Sequence, residues 1–194
     1  MAEKISYNKG KNISPVAFMF ACPGQKEQAA GKVVAGATGK NLNLLLSVLA
    51  KSENEKIRAL FPSADRYDYL ITNSSDTIHY PALDKTSLPS KREYSDDANL
   101  NRLYKELDHT KYVIAFGAQA KEASKLVECK YKMREVTPRP TFITSLPHLS
   151  LLALNQISED VHGARIERGD KEATLKRICV VAKMLTEYLD DILE

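Results

Sequence analysis

Residues 16–49 have the sequence VAFMFACPGQKEQAAGKVVAGATGKNLNLLLSVL, and this stretch decides the fold. Its first part, Val16–Phe20, is an apolar run typical of a buried β-strand. The leucine-rich pattern over residues 38–51 predicts a helix. Glycine permits tight turns, and open α/β sheets bind ligands beyond the carboxyl ends of their strands, so we expect the functional site in the loop between them. Residues 20–39, the Gly-rich loop, hold four of the chain's eight glycines, Gly24, Gly31, Gly36 and Gly39.

Strand and helix patterns alternate along the rest of the chain, which favours a parallel sheet covered by helices. We therefore expect one α/β domain over residues 1–194, a three-layer α/β/α sandwich with a four-stranded, mainly parallel central sheet. Residues 1–14 would be an N-terminal extension, residues 74–96 a long loop and residues 171–193 a C-terminal helix. The further strands are predicted over 67–72, 112–116 and 141–144, and the further helices over 54–60, 97–108 and 118–127.

Composition narrows the class of protein. Hydrophobic residues make up 43% and charged residues 27%, as in ordinary globular proteins, and the net charge of +3 permits an anionic partner. No apolar run reaches the roughly 18–20 residues of a membrane span, and the N-terminus lacks a signal-peptide core, so we expect a cytoplasmic protein without a membrane partner. Three cysteines, Cys22, Cys129 and Cys179, are too scattered for a disulfide framework or a metal site, and we expect no cofactor.

Polar residues follow two predicted strands. Asn73 and Asp76 come after the second strand, and His148 and Ser150 come after the fourth. The carboxyl ends of parallel strands lie at one edge of a sheet, so an amide, a carboxylate and an imidazole can converge there. Each residue also has a purely structural interpretation: Asn73 as a turn residue, His148 as a surface or capping residue, and Ser150 as a helix N-cap.

The glycine spacing excludes two common nucleotide-binding motifs. Glycines at 24, 31, 36 and 39 do not form Gly-x-Gly-x-x-Gly. Ala37 and Thr38 follow Gly36, where a phosphate-binding P-loop needs lysine and then serine or threonine.

The order of these blocks resembles the uracil-DNA glycosylase superfamily, and especially its family four branch, over roughly residues 16–155. The strand end Ile71-Thr72-Asn73 is similar to the family's second block, and residues 116–120 look like its Leu-Gly-x-x-Ala block. His148-Leu149-Ser150 resembles its His-Pro-Ser block. In the first block, the matching residues are Pro23, Gly24, Glu27, Gly31, Gly36 and Gly39.

The departures from the family pattern are equally specific. Phe20-Ala21 stands where family four has Gly-Glu, and Cys22 stands where other branches have a catalytic Asp or Asn before the proline. Val34 takes the place of the phenylalanine that stacks on uracil. Three scattered cysteines cannot hold the family's iron–sulfur cluster. The resemblance implies the fold and a base pocket, without implying uracil as the substrate; the pocket residues would be Cys22, Pro23, Gly24, Gln25, Val34 and Asn73.

The resemblance also implies catalytic roles. Asn73 would bind the edge of an extruded base, and His148 would donate a hydrogen bond to a base carbonyl as negative charge develops. With the usual acid missing, Glu27 is the first candidate for positioning the attacking water, Asp76 the second, and Gln25 a further water-holding group. Alternatively, Glu27 only solvates the loop.

DNA, single- or double-stranded, is the implied partner of a monomeric protein. Ser150, Lys40 and the loop backbone would contact phosphates. Arg165 and Arg168, within residues 155–169, are further phosphate contacts, unless this segment is a plain connector.

Two functions follow as alternatives. The first is a DNA glycosylase that leaves an abasic site after releasing uracil or, because Val34 opens space beside the base, a modified pyrimidine. Such an enzyme would serve DNA repair or defence against viral DNA. The second is a catalytically inactive relative that binds DNA or a nucleotide.

Overall fold

The computed structural model describes residues 5–193. Within this range the chain forms an α/β fold around a five-stranded sheet with the order β1-β3-β2-β4-β5. Strands β2 to β5 run parallel, and β1 pairs antiparallel with β3. The strands are β1 (Tyr7–Asn8), β2 (Val16–Phe20), β3 (Leu70–Asn73), β4 (Tyr112–Phe116) and β5 (Thr141–Leu146).

The predicted α/β class and mainly parallel sheet are confirmed, but the predicted strand number of four is wrong. The additional strand, β1, lies in the predicted N-terminal extension, of which residues 1–4 fall outside the described range. A strand of two residues is too short to show the alternating pattern from which strands are predicted. β1 is held by pairing of Tyr7 with Thr72 and by Asn8, whose Nδ2 donates to the carbonyls of Tyr67 and Tyr69.

Several helices were not predicted. One, α1, lies inside the Gly-rich loop, and two short ones, α4 and α5, lie in residues 74–96, which were predicted to be a loop. Pro81 begins α4, and a capping box between Ser90 and Glu93 begins α5. The helices are α1 (Gln25–Ala30), α2 (Ala37–Leu49), α3 (Glu55–Leu60), α4 (Pro81–Asp84), α5 (Lys91–Ser95), α6 (Asp97–Glu106), α7 (Ala118–Met133), α8 (Leu151–Leu154) and α9 (Ala173–Leu193).

The core lies on both faces of the sheet. Alternate residues of β2 enter two different clusters: Phe18 packs with residues of α2 and α9, and Met19 packs with residues of α6 and α7. All five residues of β2 are buried. Burial on both faces explains the unbroken apolar run, and it fits the predicted three-layer arrangement.

The topology creates a crevice at one edge of the sheet. From β2 the chain passes first to β3 on one side and later to β4 on the other. The loops after β2 and β4 therefore diverge, which is the switch-point geometry at which open α/β sheets bind ligands. In the described part of the chain, no helix has the length and apolarity to cross a membrane.

The start of α2 depends on a close backbone approach at Gly39. A Cβ atom at this position would lie 1.7 Å from the carbonyl oxygen of Val34. We therefore expect Gly39→Ala to destabilise the protein by about 3 kcal/mol or more, measured as the midpoint of urea unfolding. Gly36→Ala is the matched control, because its Cβ would make only ordinary contacts, with the Lys26 side chain at 3.4 Å and with Glu27 Oε1 at 3.7 Å. Equal midpoints for the two variants would contradict the prediction.

Candidate functional site

A cavity of about 470 Å³ opens at the carboxyl edge of the sheet, at the switch point. The ends of β2 and β3 contribute Phe20, Cys22 and Asn73, and the loop after β5 contributes His148. The structure brings seven of the predicted site residues to this one cavity: Cys22, Gly24, Glu27, Val34, Asn73, His148 and Ser150.

The ring of His148 is held in one orientation. Its Nδ1 accepts a hydrogen bond from the backbone N–H of Ser150 at 3.0 Å, so the neutral ring carries its proton on Nε2. Burial lowers the pKa of His148, which favours this neutral form. Phe20 packs edge-on to the ring, with centroids 5.9 Å apart. Gly117, at φ 88°, leaves room for it, since a Cβ there would lie 3.2 Å from the His148 Cβ.

Ser150 has the structural role that was considered for it as well as a place at the cavity. It is the N-cap of α8, and its Oγ accepts a hydrogen bond from the N–H of Ala153 at 3.3 Å. Leu152, in the same short helix, lines the cavity and is 78% exposed. The rim of the cavity is therefore apolar at this point.

Asn73 ends β3 and is almost wholly buried. Its backbone N–H donates to the carbonyl of Ser6 at 3.1 Å, and its Nδ2 donates weakly to the same oxygen at 3.5 Å. The amide is thus oriented but only loosely engaged, which leaves it hydrogen-bonding capacity for a ligand.

Glu27 braces the Gly-rich loop. Its Oε2 accepts the N–H of Gly24 at 3.1 Å, and its Oε1 accepts the N–H of Gly36 at 3.2 Å. The half-buried carboxylate thereby joins the two ends of the loop segment and lines the cavity. Its role is more than solvation of the loop, and each oxygen keeps a further lone pair for a water.

The thiol of Cys22 is protonated and unreactive at neutral pH. Burial raises its pKa to about 12, and nearby carboxylates, Glu93 foremost, act in the same direction. The thiol contacts the carbonyl of Ser87 at 3.5 Å. Because only a thiolate is a good nucleophile or base, Cys22 contributes shape and a weak donor at neutral pH.

Val34 has an uncommon backbone conformation. Its φ of 43° lies in the left-handed region, where a β-branched residue is strained. The side chain is buried and lines the cavity. Strain of this kind is retained where surrounding structure fixes a functional surface, so it marks Val34 as a built part of the cavity wall.

His79 was missed by the sequence analysis. Its ring lies in the cavity wall between two carboxylates, with Nδ1 against Asp84 Oδ2 and Nε2 2.8 Å from Glu93 Oε1. Its backbone N–H donates to the carbonyl of Pro23, and these contacts close residues 79–93 against the Gly-rich loop. The spacing of Ser90 and Glu93 is the signal that predicts a helix start within this segment.

The charges around His79 favour its protonated form. Burial lowers the pKa of His79, but the hydrogen bonds and charges of Asp84 and Glu93 outweigh this effect and raise it above the usual value. Burial raises the pKa of Glu93, but hydrogen bonds from Ser90 and His79 outweigh this effect and lower the pKa to about 2.

The other predicted site residues lie outside this cavity. Pro23 is buried beneath the loop, and Gln25 and Lys40 are exposed on α1 and α2. Asp76 lines a second cavity of about 450 Å³ beside Arg92 and Asn99. Arg165 and Arg168 line a third, of about 390 Å³, together with Arg177.

The segment that carries these arginines is an ordered turn. Glu159 and Arg165 form an antiparallel bridge, Asp160 accepts the N–H groups of His162 and Ala164, and Ile166 is buried. Among residues 5–193, no group of three or more His, Cys, Asp or Glu side chains forms a metal site.

No protein-family model matches the chain, and no curated protein matches it significantly. The chemistry of the cavity therefore carries the functional argument.

The ion pairs of His79 with Asp84 and Glu93, the His79 clasp, predict a pH dependence of stability. Since the pKa of His79 is raised on folding, its contribution is fully present below about pH 6.5 and is lost as pH rises through the folded pKa. We expect His79→Gln to lower Tm more at about pH 6 than at about pH 9. His109→Gln is the control, because that side chain is 98% exposed. A Tm loss that is the same at both pH values would show that the charge of His79 is not involved.

Proposed function

We propose that the protein is a DNA glycosylase that hydrolyses the N-glycosidic bond of a flipped-out uracil or, more specifically, of a modified pyrimidine, and leaves an abasic site. The observation that carries this proposal is the pairing of a neutral His148, which has its proton on Nε2, with the amide of Asn73 in one cavity. We further propose a monomeric, cytoplasmic, single-domain three-layer sandwich that acts in DNA repair or antiviral defence.

The two side chains suit the two demands of the reaction. The amide of Asn73 offers a donor and an acceptor, the combination that pairs with the edge of a pyrimidine. The Nε2–H of His148 can donate to a base carbonyl, where negative charge develops as the glycosidic bond breaks. Burial lowers the pKa of His148 and favours the neutral imidazole, and because its Nδ1 already accepts from Ser150, the Nε2–H is the donor that faces a ligand.

Glu27 is our choice for positioning the water that attacks the sugar. It is the carboxylate from the first sequence block that lines the cavity, and two backbone N–H groups fix its direction. Asp76, the second candidate, belongs to the neighbouring cavity, and Gln25 lies on an exposed helix face. A fixed carboxylate that keeps free lone pairs can orient a water as general base.

The preference for a modified base rests on Val34. Its side chain has no aromatic face on which a base can stack, and it fills less of the cavity than a phenylalanine would. A substituent on the pyrimidine ring would occupy that space. The cavity volume of about 470 Å³ lies within the usual range of small-molecule sites.

Features at the rim of the cavity and beyond it suit a DNA partner. Leu151 and Leu152 are exposed beside it, and apolar side chains of this kind fill the gap that an extruded nucleotide leaves in a duplex. Asn155, just after α8, lines the cavity that also holds Arg165, Arg168 and Arg177, so guanidinium groups surround the residue that follows the helix of the apolar rim. Guanidinium groups bind phosphates bidentately.

A catalytically inactive DNA- or nucleotide-binding protein is the second candidate, and the state of Cys22 favours it. The thiol is protonated at neutral pH, with a pKa of about 12, and it occupies the position where other branches of the resembled superfamily carry a catalytic Asp or Asn. Glu27 is the one carboxylate among the described residues that line this cavity, so an active enzyme would depend on it.

Incubation with DNA of defined base content separates the candidates. Single- and double-stranded oligonucleotides, with uracil or with bulky 5-substituted pyrimidines, are assayed for free base by mass spectrometry and for alkali-labile sites. A glycosylase releases base from one of them, and an inactive binder retains DNA without release. Fast release of uracil with no attack on the substituted bases would contradict the argument from Val34.

We expect His148→Ala to slow base release by about 100-fold, as for the loss of one oxyanion donor. The affinity for DNA should change little, because phosphate contacts dominate binding. His109→Ala, at an exposed histidine away from the cavity, is the control. Single-turnover release and equilibrium binding are measured on the same oligonucleotide. A similar loss of base release and of DNA affinity would show that His148 has a structural role.

We expect Arg165→Ala with Arg168→Ala to weaken binding to every DNA sequence and to lower the slope of log K against log salt by about one to two. The matched double variant is Arg134→Ala with Arg139→Ala, at the end of α7 and just before β5, near the opposite edge of the sheet. An unchanged slope would exclude the first pair from the interface and leave Lys26, Lys32 and Lys40 as the phosphate contacts.

A further inference from the structure

Helix α6 carries a buried ion pair next to β3. Arg102 Nη1 donates to Glu106 Oε2 at 2.7 Å, and the two side chains are only 11% and 10% exposed. Burying two charges is costly, and such pairs contribute little net stability compared with apolar residues. Their location therefore calls for another explanation.

The pair holds the strand end that carries Asn73. Arg102 Nη2 donates to the carbonyl oxygen of Asn73 at 2.8 Å. Thr72 Oγ1 donates to Glu106 Oε2 at 2.7 Å and lies 3.3 Å from Arg102 Nη1. Two consecutive residues of β3 are thus bound to the same ion pair.

Asn99 extends this contact by one residue. Its Oδ1 accepts hydrogen bonds from Nη2 and Nε of Arg102, at 2.7 and 3.2 Å, and its Nδ2 donates to the carbonyl of Ser74 at 2.7 Å. Side chains on one face of α6 are therefore hydrogen-bonded to Thr72, Asn73 and Ser74 in succession.

The sheet holds the backbone of this strand end but engages the Asn73 side chain only weakly. On its outer side β3 pairs only with the two-residue β1, and the hydrogen bond from the Asn73 amide to Ser6 is long, at 3.5 Å. On its inner side the N–H groups of Ser74 and Ser75 donate to the carbonyls of Phe20 and Ala21, at 2.7 and 3.1 Å, and the chain then leaves the sheet at the exposed residues 76 and 77. A group that must recognise a base needs support from outside its own strand.

We infer that Arg102 and Glu106 are positioning residues, which fix the carboxyl end of β3 so that the Asn73 amide meets the edge of the bound base. This inference rests on the proposed function, since it assigns Asn73 to base recognition. The requirement is for a planar guanidinium: Arg102 binds the strand, Glu106 and Asn99 at once, whereas a lysine has a single nitrogen and cannot span all three.

Arg102→Lys is the decisive variant, because it keeps the buried charge and so avoids leaving Glu106 unpaired. The matched control is Arg134→Lys, which alters another arginine that contacts α6, through Asn101 Oδ1 at 3.1 Å. Glu106→Gln is the second variant; it keeps the shape of the side chain and weakens the hold on Thr72 and Arg102.

The first readout is the NMR signal of the Asn73 side-chain amide, which needs no activity. We expect Arg102→Lys and Glu106→Gln to shift or broaden this signal. The side-chain amide signal of Asn155 should stay unchanged in both variants, and the Asn73 signal should stay unchanged in the control variant. The second readout is single-turnover base release, expected to fall by up to about 100-fold with unchanged affinity for DNA, since misplacement of about 1 Å has effects of this size.

The outcomes are distinguishable. If the unaltered protein releases no base, the proposed glycosylase activity fails, and the Asn73 amide signal alone decides the positioning role. An Asn73 signal that is unchanged in both variants overturns the inference. So does a change spread evenly over the spectrum, because it would mean that the ion pair supports the fold at large rather than this strand end.

Discussion

The complete burial of β2 is the constraint on which the rest of the structure depends. A parallel strand with apolar side chains on both faces must be covered on both sides, and helices supply the cover through long crossovers. Those crossovers send the carboxyl ends of β2 to β5 to the same edge. The apolar run Val16–Phe20 thus determines where polar groups from distant parts of the chain can meet.

The polar groups at that edge are held mainly by the backbone. Glu27 is fixed by two loop N–H groups and His148 by the N–H of Ser150, whereas the Asn73 amide is only loosely engaged by the carbonyl of Ser6. Backbone groups move little, so side chains bound to them are oriented before a ligand arrives, and less ordering is needed on binding. The cavity combines this polar set with apolar walls, as small-molecule sites commonly do.

Sequence patterns predicted those elements of the fold that depend on the residues within the element itself. The strands at Val16–Phe20 and Tyr112–Phe116 have the predicted bounds, because unbroken apolar runs followed by glycine-containing segments are strong signals. The placement of Asn73 and His148 at one cavity was predicted because the carboxyl ends of parallel strands share one edge of a sheet. The strand β1 is only two residues long, and the His79 clasp joins residues that are separated in the sequence. Neither feature produces a periodic pattern in the sequence. Residues 67–69 show the same limit: their alternation predicts a strand, yet residues 66–68 form a 3-10 turn capped by Asp65.

The strained backbone at Val34 has a consequence for how the pocket can diversify. A left-handed β-branched residue costs about 1–3 kcal/mol, while burial of a valine side chain contributes about 1.5–3 kcal/mol. A glycine at this position would lose the second term and recover the first, so the two changes nearly cancel. The substitution Val34→Gly would therefore widen the pocket without a large loss of stability.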